Sequence, residues 1–181
     1  MIKSPLNSEV ISTSFDDCGI KLWDTKNGKL INELIGHTNS ACCLIVLPES
    51  TWGHIATGSF DKTVKLWCLD SGKCLKTFFG HADWVTCLAY LKTTGTLLSG
   101  SFDKKIKLWE MKSGLCLKTL KGTFRFSYLL VLPTGELLSS SGDSMKLWNL
   151  NKGYSTKELK GHCNTVNVMN FNLTYTKVNN T

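Results

Sequence analysis

The residue types in this chain that could bind a metal or act as nucleophiles are its cysteines and histidines. The 181 residues include eight cysteines and four histidines, with no Cys-x-x-Cys or His-x-x-His pair. This spacing argues against a zinc site. Cys74 and Cys116 each lie seven residues after a tryptophan, and a cysteine that recurs in register within an apolar strand is most simply a small core residue. We therefore expect reduced, packed thiols, with neither a metal nor a cofactor, at Cys18, Cys42, Cys43, Cys68, Cys74, Cys87, Cys116 and Cys163.

The positions of the histidines belong to an internal repeat. The triplet Lys-Leu-Trp occurs four times, its tryptophans lie 44, 42 and 39 residues apart, and a glycine stands thirteen residues after each tryptophan. His37, His81 and His162 follow three of these glycines, and Thr123 follows the remaining one. His54 also follows a glycine, but it lies where the repeat varies in length, and we interpret it as a loop or strand-start residue. A repeat of about 40 residues predicts an array of similar structural units.

Each unit has the pattern of four short strands. In the unit that follows Gly80, the predicted strands a, b, c and d are 84–90, 97–101, 105–109 and 116–120, which are apolar or alternate with period two. Gly114 recurs at the same offset in all four units, which predicts a positive φ in the hairpin between strands c and d. Lysines on strand d would protect an exposed sheet edge. No segment has a helical period, so the sequence predicts an all-β fold.

A unit of this length, with Gly-His at one end and Trp at the other, resembles the WD repeat, a blade of a β-propeller. The resemblance covers nearly the whole chain, although the literal Trp-Asp pair occurs only at Trp23-Asp24. It implies four four-stranded antiparallel blades, of which the first lacks strand a, and an additional strand a near the C-terminus. The propeller region is expected at 1–173, with blade units 10–36, 37–80, 81–122 and 123–161, the additional strand in 162–173 and a polar tail at 174–181.

The missing strand and the additional strand are the same element of a blade, and this leaves three assemblies open. The C-terminal strand could complete the first blade and close a four-blade ring. The chain could be a partial propeller that is open by itself, the arrangement that we favour. Two chains could complete an eight-blade ring as a homodimer, since propellers span four to eight blades.

In the WD family, a His, a Ser or Thr, an Asp and a Trp of one blade form a buried hydrogen-bonded tetrad. The resemblance implies this structural role for four sets of residues, one in each blade. The fourth blade has Thr123 in place of the histidine and is expected to be the weakest blade. His162 would complete the first blade's set if the ring closed. The sets are His37, Thr57, Asp61 and Trp67; His81, Ser99, Asp103 and Trp109; Ser139, Asp143 and Trp148; and Ser12, Asp16, Trp23 and His162.

A chain of Asp, His and Ser also resembles a hydrolase triad. A catalytic triad is needed once, whereas this set recurs in each unit, and no segment resembles a nucleophile elbow. Walker-type and dinucleotide-binding loops do not occur in the sequence either. We therefore predict no catalytic residues and no enzymatic activity.

WD propellers resemble one another in use, as rigid platforms that hold other proteins or peptides on the wider face, where the b–c turns and the starts of strand a lie. Aromatic residues and arginine are enriched in interface hot spots. Phe124 and Phe126 are two residues apart and so are predicted to share one side of their strand, either between blades or towards a partner. The predicted partner-binding residues are Phe60, Trp84, Phe102, Phe124, Arg125 and Phe126.

The composition bears on whether the protein binds nucleic acid or a membrane, and on its location in the cell. The net charge is +7, but Arg125 is the single arginine among 21 basic residues and the lysines are spread through every repeat. This pattern favours a solvated surface over a nucleic-acid site, because bidentate recognition of bases and phosphates favours arginine. No apolar run has the length of a membrane helix, and the N-terminus is unlike a signal peptide. These features predict a cytoplasmic or nuclear protein with no membrane partner.

The leading functional hypothesis is therefore a non-catalytic scaffold for protein–protein interaction. Three alternatives remain: a substrate-receptor part of a ubiquitin ligase, an incomplete propeller fragment without autonomous function, and, as a weaker option, association with nucleic acid through charge.

Overall fold

The computed structural model describes residues 9–14, 18–47, 53–166 and 169. Every regular element in these residues is a strand, and no helix able to cross a membrane occurs among them. The strands are β1 (Glu9–Thr13), β2 (Ile20–Asp24), β3 (Leu30–Leu34), β4 (Ala41–Val46), β5 (His54–Ser59), β6 (Val64–Cys68), β7 (Cys74–Phe78), β8 (Val85–Leu91), β9 (Thr96–Ser101), β10 (Lys105–Glu110), β11 (Cys116–Lys121), β12 (Phe126–Val131), β13 (Leu137–Ser141), β14 (Ser144–Asn149) and β15 (Tyr154–Leu159).

The strands form four antiparallel sheets, each ordered as in the chain. Blade 1 is β1-β2-β3, blade 2 is β4-β5-β6-β7, blade 3 is β8-β9-β10-β11 and blade 4 is β12-β13-β14-β15. The prediction of an all-β fold built of propeller-like blades is confirmed, and blade 1 has three strands within the described residues. Strand β5 begins at His54, as predicted for a strand-start residue.

The predicted additional strand a lies mostly outside the described residues. Of its described part, Val166 and Met169 are buried, and the Val166 N–H donates to the Gly142 carbonyl at 2.9 Å. The segment after β15 therefore packs against the b–c turn of blade 4.

The apolar core lies between neighbouring sheets. Strand c shows why, because Ile106 and Leu108 are buried while the alternating Lys105 and Lys107 are partly exposed. The hairpin after strand c has the same geometry in every unit because each has a glycine with the predicted positive φ, for example +83° at Gly114. Side chains of blades 1 and 2 form one cluster, those of blades 2 and 3 a second, and those of blades 3 and 4 a third.

Polar contacts join successive blades at both the first strand and the outermost strand of the sheets. On the first strand, the Thr86 hydroxyl donates to the Phe126 carbonyl at 2.6 Å, and Cys42 Sγ lies 2.9 Å from the Val85 carbonyl at the equivalent place one blade earlier. On the outermost strand, Lys118 Nζ donates to the Leu150 carbonyl of the next blade at 2.9 Å. Each blade is thus held against the next by both apolar and polar contacts.

The prediction that Cys74 and Cys116 are packed core residues was wrong. Both are exposed, and both stand at the start of a blade's outermost strand. They pair with Trp67 and Trp109 at points where the strand register shifts. No further strand of the sheet covers them there, so a small apolar side chain at this position is left in contact with solvent.

Candidate protein-interaction face

A chain of hydrogen bonds crosses blade 2 from strand c to the turn between strands b and c. Trp67 Nε1–H donates to Thr57 Oγ1 at 2.8 Å, Thr57 Oγ1 lies 2.8 Å from His37 Nε2, and His37 Nδ1 lies 2.7 Å from Asp61 Oδ2. Thr57 and Trp67 have no exposed surface, and His37 is buried. The structure thus brings together all four residues of the set predicted for this blade.

Blade 3 repeats the arrangement with a serine in place of the threonine. Trp109 Nε1–H donates to Ser99 Oγ at 2.8 Å, Ser99 Oγ lies 2.7 Å from His81 Nε2, and His81 Nδ1 lies 2.8 Å from Asp103 Oδ2. An indole N–H can only donate and a carboxylate can only accept. The imidazole Nδ1–H therefore donates to the carboxylate. In the neutral imidazole, Nε2 is then the acceptor, and the serine hydroxyl donates to it.

Hydrogen bonds keep the aspartates of these tetrads ionised. Burial raises the pKa of Asp103, but the hydrogen bonds from His81, the Ala82 amide and the Lys105 amide outweigh it and lower the pKa to about 2. Burial also raises the pKa of Asp61, but hydrogen bonds from His37 and Thr63 outweigh burial and lower the pKa below its usual range. Each carboxylate is therefore a fixed acceptor for the backbone of its turn.

The tetrads hold the two b–c turns in an unusual conformation. Lys62 and Lys104, which follow the aspartates, have φ values of 71° and 65°, a left-handed region that non-glycine residues rarely occupy. Asp103 Oδ1 accepts the Lys105 N–H at 2.9 Å, and Asp61 Oδ1 accepts the Thr63 N–H at the same distance. A fully satisfied network of this kind makes the turns rigid.

Blade 4 retains only part of the tetrad. Trp148 Nε1–H donates to Ser139 Oγ at 2.8 Å, but Thr123 is exposed and contacts Lys146 Nζ at 3.3 Å. Asp143 is exposed and has no hydrogen bond to a histidine within the described residues. Only three residues separate Gly122 from Phe126, whereas four separate Gly80 from Val85, so the loop that carries the histidine in blade 3 is one residue shorter here.

Blade 1 shows one contact of its predicted set. Trp23 Nε1–H donates to Ser12 Oγ at 2.8 Å, and Asp16 lies outside the described residues. His162 is exposed, unlike the buried His37 and His81. No contact within the described ranges joins His162 to Ser12 or Trp23, so the structure does not bring this predicted set together.

The turns of blades 2 and 3 present a continuous row of side chains across three blades. Phe60 stacks on Trp84 with ring centroids 4.1 Å apart, Trp84 packs against Phe102 at 5.4 Å, and the guanidinium of Arg125 lies 4.9 Å from the centroid of Phe102. Phe60 comes from blade 2, Trp84 and Phe102 from blade 3, and Arg125 immediately precedes the first strand of blade 4. We call these four residues the aromatic row.

Exposure divides the predicted partner-binding residues. Trp84 is 39% exposed and Phe124 is 59% exposed, Arg125 is exposed, and Phe60 and Phe102 are half-buried. The assignment of Phe126 to this face was wrong, because Phe126 is fully buried between blades 3 and 4. The expectation that Phe124 and Phe126 share a side was also wrong, since the strand begins only at Phe126 and the chain bends before it.

A cleft of 470 Å³ lies at the Arg125 end of the aromatic row, and is lined by Phe102, Arg125, Ser127, Asn164 and Thr165. The sequence reasoning missed the last three residues. A signal existed for Thr165, which stands at the same offset from Gly161 as Trp84 does from Gly80. Ser127 and Asn164 carried no comparable signal.

Stacked antiparallel sheets with a His, Ser or Thr, Asp and Trp tetrad define the class of WD-type β-propeller blades. Comparison with known families agrees, since residues 28–68 and 72–110 match the family described as WD domain, G-beta repeat. These two segments of the chain are therefore similar to WD repeats.

A curated relative is described as an uncharacterized WD repeat-containing protein of Schizosaccharomyces pombe. It is 33% identical over 55 residues, which is 30% of this chain and 13% of the relative. The chain thus matches only a small part of the length of that relative.

Proposed function

We propose that this chain is a non-catalytic scaffold that holds another protein through the aromatic row. WD repeats generally mediate protein–protein interaction. The observation that carries the proposal is the row itself, because four stacked side chains from three blades form one surface above turns that the tetrads hold rigid. Pre-organised aromatic and arginine side chains lose little conformational entropy on binding and are enriched in interface hot spots.

The geometry of the tetrads supports a structural role for their histidines. Ser99 has no exposed surface, and its Oγ already accepts the Trp109 N–H while lying 2.7 Å from His81 Nε2. A serine nucleophile must reach a substrate carbonyl, and this hydroxyl is enclosed by its own blade.

Capture of partners from a cell extract tests the proposal. We expect the tagged full chain to retain specific proteins and the Trp84→Ala variant to lose them, because Trp84 is the centre of the row. Phe79→Ala is the matched control, since Phe79 is a 73% exposed aromatic residue that directly follows the outermost strand of blade 2, outside the row. Equal capture by the wild-type chain and both variants would contradict the assignment of the partner surface to this row.

We further propose a reducing location, the cytoplasm or nucleus. The eight cysteines are free, and several are exposed, including Cys74, Cys116 and Cys163. Exposed thiols persist in reducing compartments and tend to form disulfides in oxidising ones. Imaging of a tagged chain tests this proposal, and localisation to a secretory compartment would contradict it.

A further inference from the structure

The aromatic row ends in a charged residue, Arg125, rather than in an aromatic ring. The b–c turns of blades 2 and 3 place Phe60 and Phe102 directly before the tetrad aspartate, whereas the turn of blade 4 has Gly142 directly before Asp143. The row therefore has no aromatic ring from blade 4, and the cleft of 470 Å³ opens at this end.

The groups that line the cleft have the chemistry of a carboxylate site. Arg125 supplies the positive charge, Ser127 and Thr165 supply hydroxyls, and Asn164 has its Oδ1 occupied by the Thr165 N–H at 2.7 Å, which leaves its amide NH₂ as a donor. None of the lining residues is acidic. An anion in the cleft would thus meet donors from several directions.

Arg125 is arranged to bind rather than to stabilise the fold. Its side chain is exposed, it packs on the ring of Phe102, and the described residues place no carboxylate in an ion pair with it. Contact with the ring restricts the guanidinium, whose planar fork matches a carboxylate in a bidentate manner. A single guanidinium fits one carboxylate better than a phosphate dianion, which is typically bound by clusters of cations.

We propose that the cleft binds an Asp or Glu side chain of an extended peptide, while an apolar residue next to it packs on Trp84 and Phe102. This inference rests on the proposed scaffold function and specifies the chemistry of the partner.

The nearby carboxylates of Asp61 and Asp103 do not compete for Arg125, since both are buried and hydrogen-bonded to histidines. Asp83 lies beside the row and accepts the Trp84 N–H at 2.8 Å, and Asp143 is exposed on the turn of blade 4. Both aspartates should disfavour peptides with long acidic runs.

Selection from a random peptide library on the full chain tests the motif. We expect enrichment of an acidic residue adjacent to Leu, Phe or Trp. Selection on Arg125→Gln should lose the acidic preference and keep the apolar one, and selection on Trp84→Ala should lose the apolar preference. Lys121→Gln is the control, because it removes one exposed positive charge outside the cleft. Enrichment without an acidic residue, or the same loss in the control, would overturn the carboxylate site.

Affinity measurements on one enriched, C-terminally amidated peptide give the quantitative test. We expect its Glu-to-Gln form to bind about tenfold more weakly to the wild-type chain and equally to Arg125→Gln, because loss of a bidentate hydrogen-bonded ion pair costs about this factor. Tighter binding of the matched phosphoserine peptide would contradict a carboxylate site, as would sequence-independent binding of single-stranded DNA that displaces the peptide. If the Glu and Gln forms bind equally while Trp84→Ala still loses captured proteins, the carboxylate site fails and the scaffold function stands.

Discussion

Gly100 and Phe126 contact each other across the boundary between blades 3 and 4. A Cβ placed on Gly100 would lie 3.0 Å from the Cβ of Phe126 and 2.5 Å from Cys87 Sγ. Gly58 stands at the equivalent place in blade 2, where an added Cβ would lie 2.6 Å from Cγ1 of Val85. Strand b of blades 2 and 3 therefore needs a residue without a side chain where the next blade packs on it.

Gly100→Ala is expected to destabilise the protein by about 1–3 kcal/mol, as overpacking of a filled core does. Urea unfolding followed by tryptophan fluorescence measures the loss. Gly161→Ala is the control, because an added Cβ there has no heavy atom within 4 Å among its surroundings. Equal stability of the two variants would show that the blades can separate to admit a methyl group.

Ser99→Ala should cost more stability than Ser139→Ala, although both serines are fully buried. Loss of the Ser99 hydroxyl leaves both His81 Nε2 and Trp109 Nε1–H without a partner, at about 1–3 kcal/mol for each unsatisfied group. Loss of the Ser139 hydroxyl removes the partner of Trp148 alone. The difference in the free energy of unfolding is the measurement, and a larger cost for Ser139→Ala would contradict the hydrogen-bond assignment.

The tetrad aspartates should make stability depend on acidic pH. The pKa of Asp103 is about 2 in the folded chain, below the value of about 3.9 for an unfolded aspartate. A depressed pKa stabilises the fold above the unfolded pKa, and this contribution is lost as pH falls from about 4 to about 2. It amounts to about 2 kcal/mol.

Asp103→Asn should therefore be less stable than the wild-type chain near neutral pH, and the gap should narrow as pH falls through this window. Titrating groups outside this tetrad are common to both proteins and cancel in the comparison. Urea unfolding at a series of pH values gives the gap, and a gap that stays constant down to the lowest pH would rule out this linkage.

Alkylation should distinguish the cysteines by their surroundings. Cys87 is buried, and burial raises the pKa of its thiol to about 12, so at mildly alkaline pH it should react only when the chain unfolds. Cys74 and Cys116 are exposed on outermost strands and should react at once. Mass spectrometry after timed iodoacetamide treatment, with and without urea, measures the order, and early labelling of Cys87 would contradict its packed position.

Phe126→Ala and Phe124→Ala should differ sharply, although the residues are two positions apart. Phe126 is fully buried between blades, and its truncation should cost about 3–5 kcal/mol. Phe124 is exposed, and its truncation should change stability by less than about 0.5 kcal/mol. Thermal unfolding of both variants measures this contrast, and similar losses would place Phe124 in the core as well.

Much of the fold was predictable because its determinants are local. The spacing of tryptophans and glycines, the period-two alternation and the turn glycines each act within a few residues, so strands such as β10 were located to within a residue. The tetrads of blades 2 and 3 were predicted through the family resemblance, and their hydrogen bonds lie within single blades.

The errors concern relations between sheets. The period-two alternation around Cys116 would be the same whether or not another strand covered this residue. Cys116 is exposed because it lies on the outermost strand of its sheet. Phe126 could have faced a partner or the neighbouring blade. The loop before it is one residue shorter than in blade 3, so Phe126 is the first residue of its strand and is buried, as Val85 is in blade 3. Position in the assembled array, rather than residue type, decides such cases.

The sequence by itself determined a repeating all-β chain with WD-type blades, because strand periodicity and turn chemistry are properties of neighbouring residues. Only the tertiary structure decided that Phe60, Trp84, Phe102 and Arg125 stack into one surface and that a donor-lined cleft opens beside Arg125. These side chains are far apart in the chain and come from three blades, so their contact depends on how each sheet packs against the next.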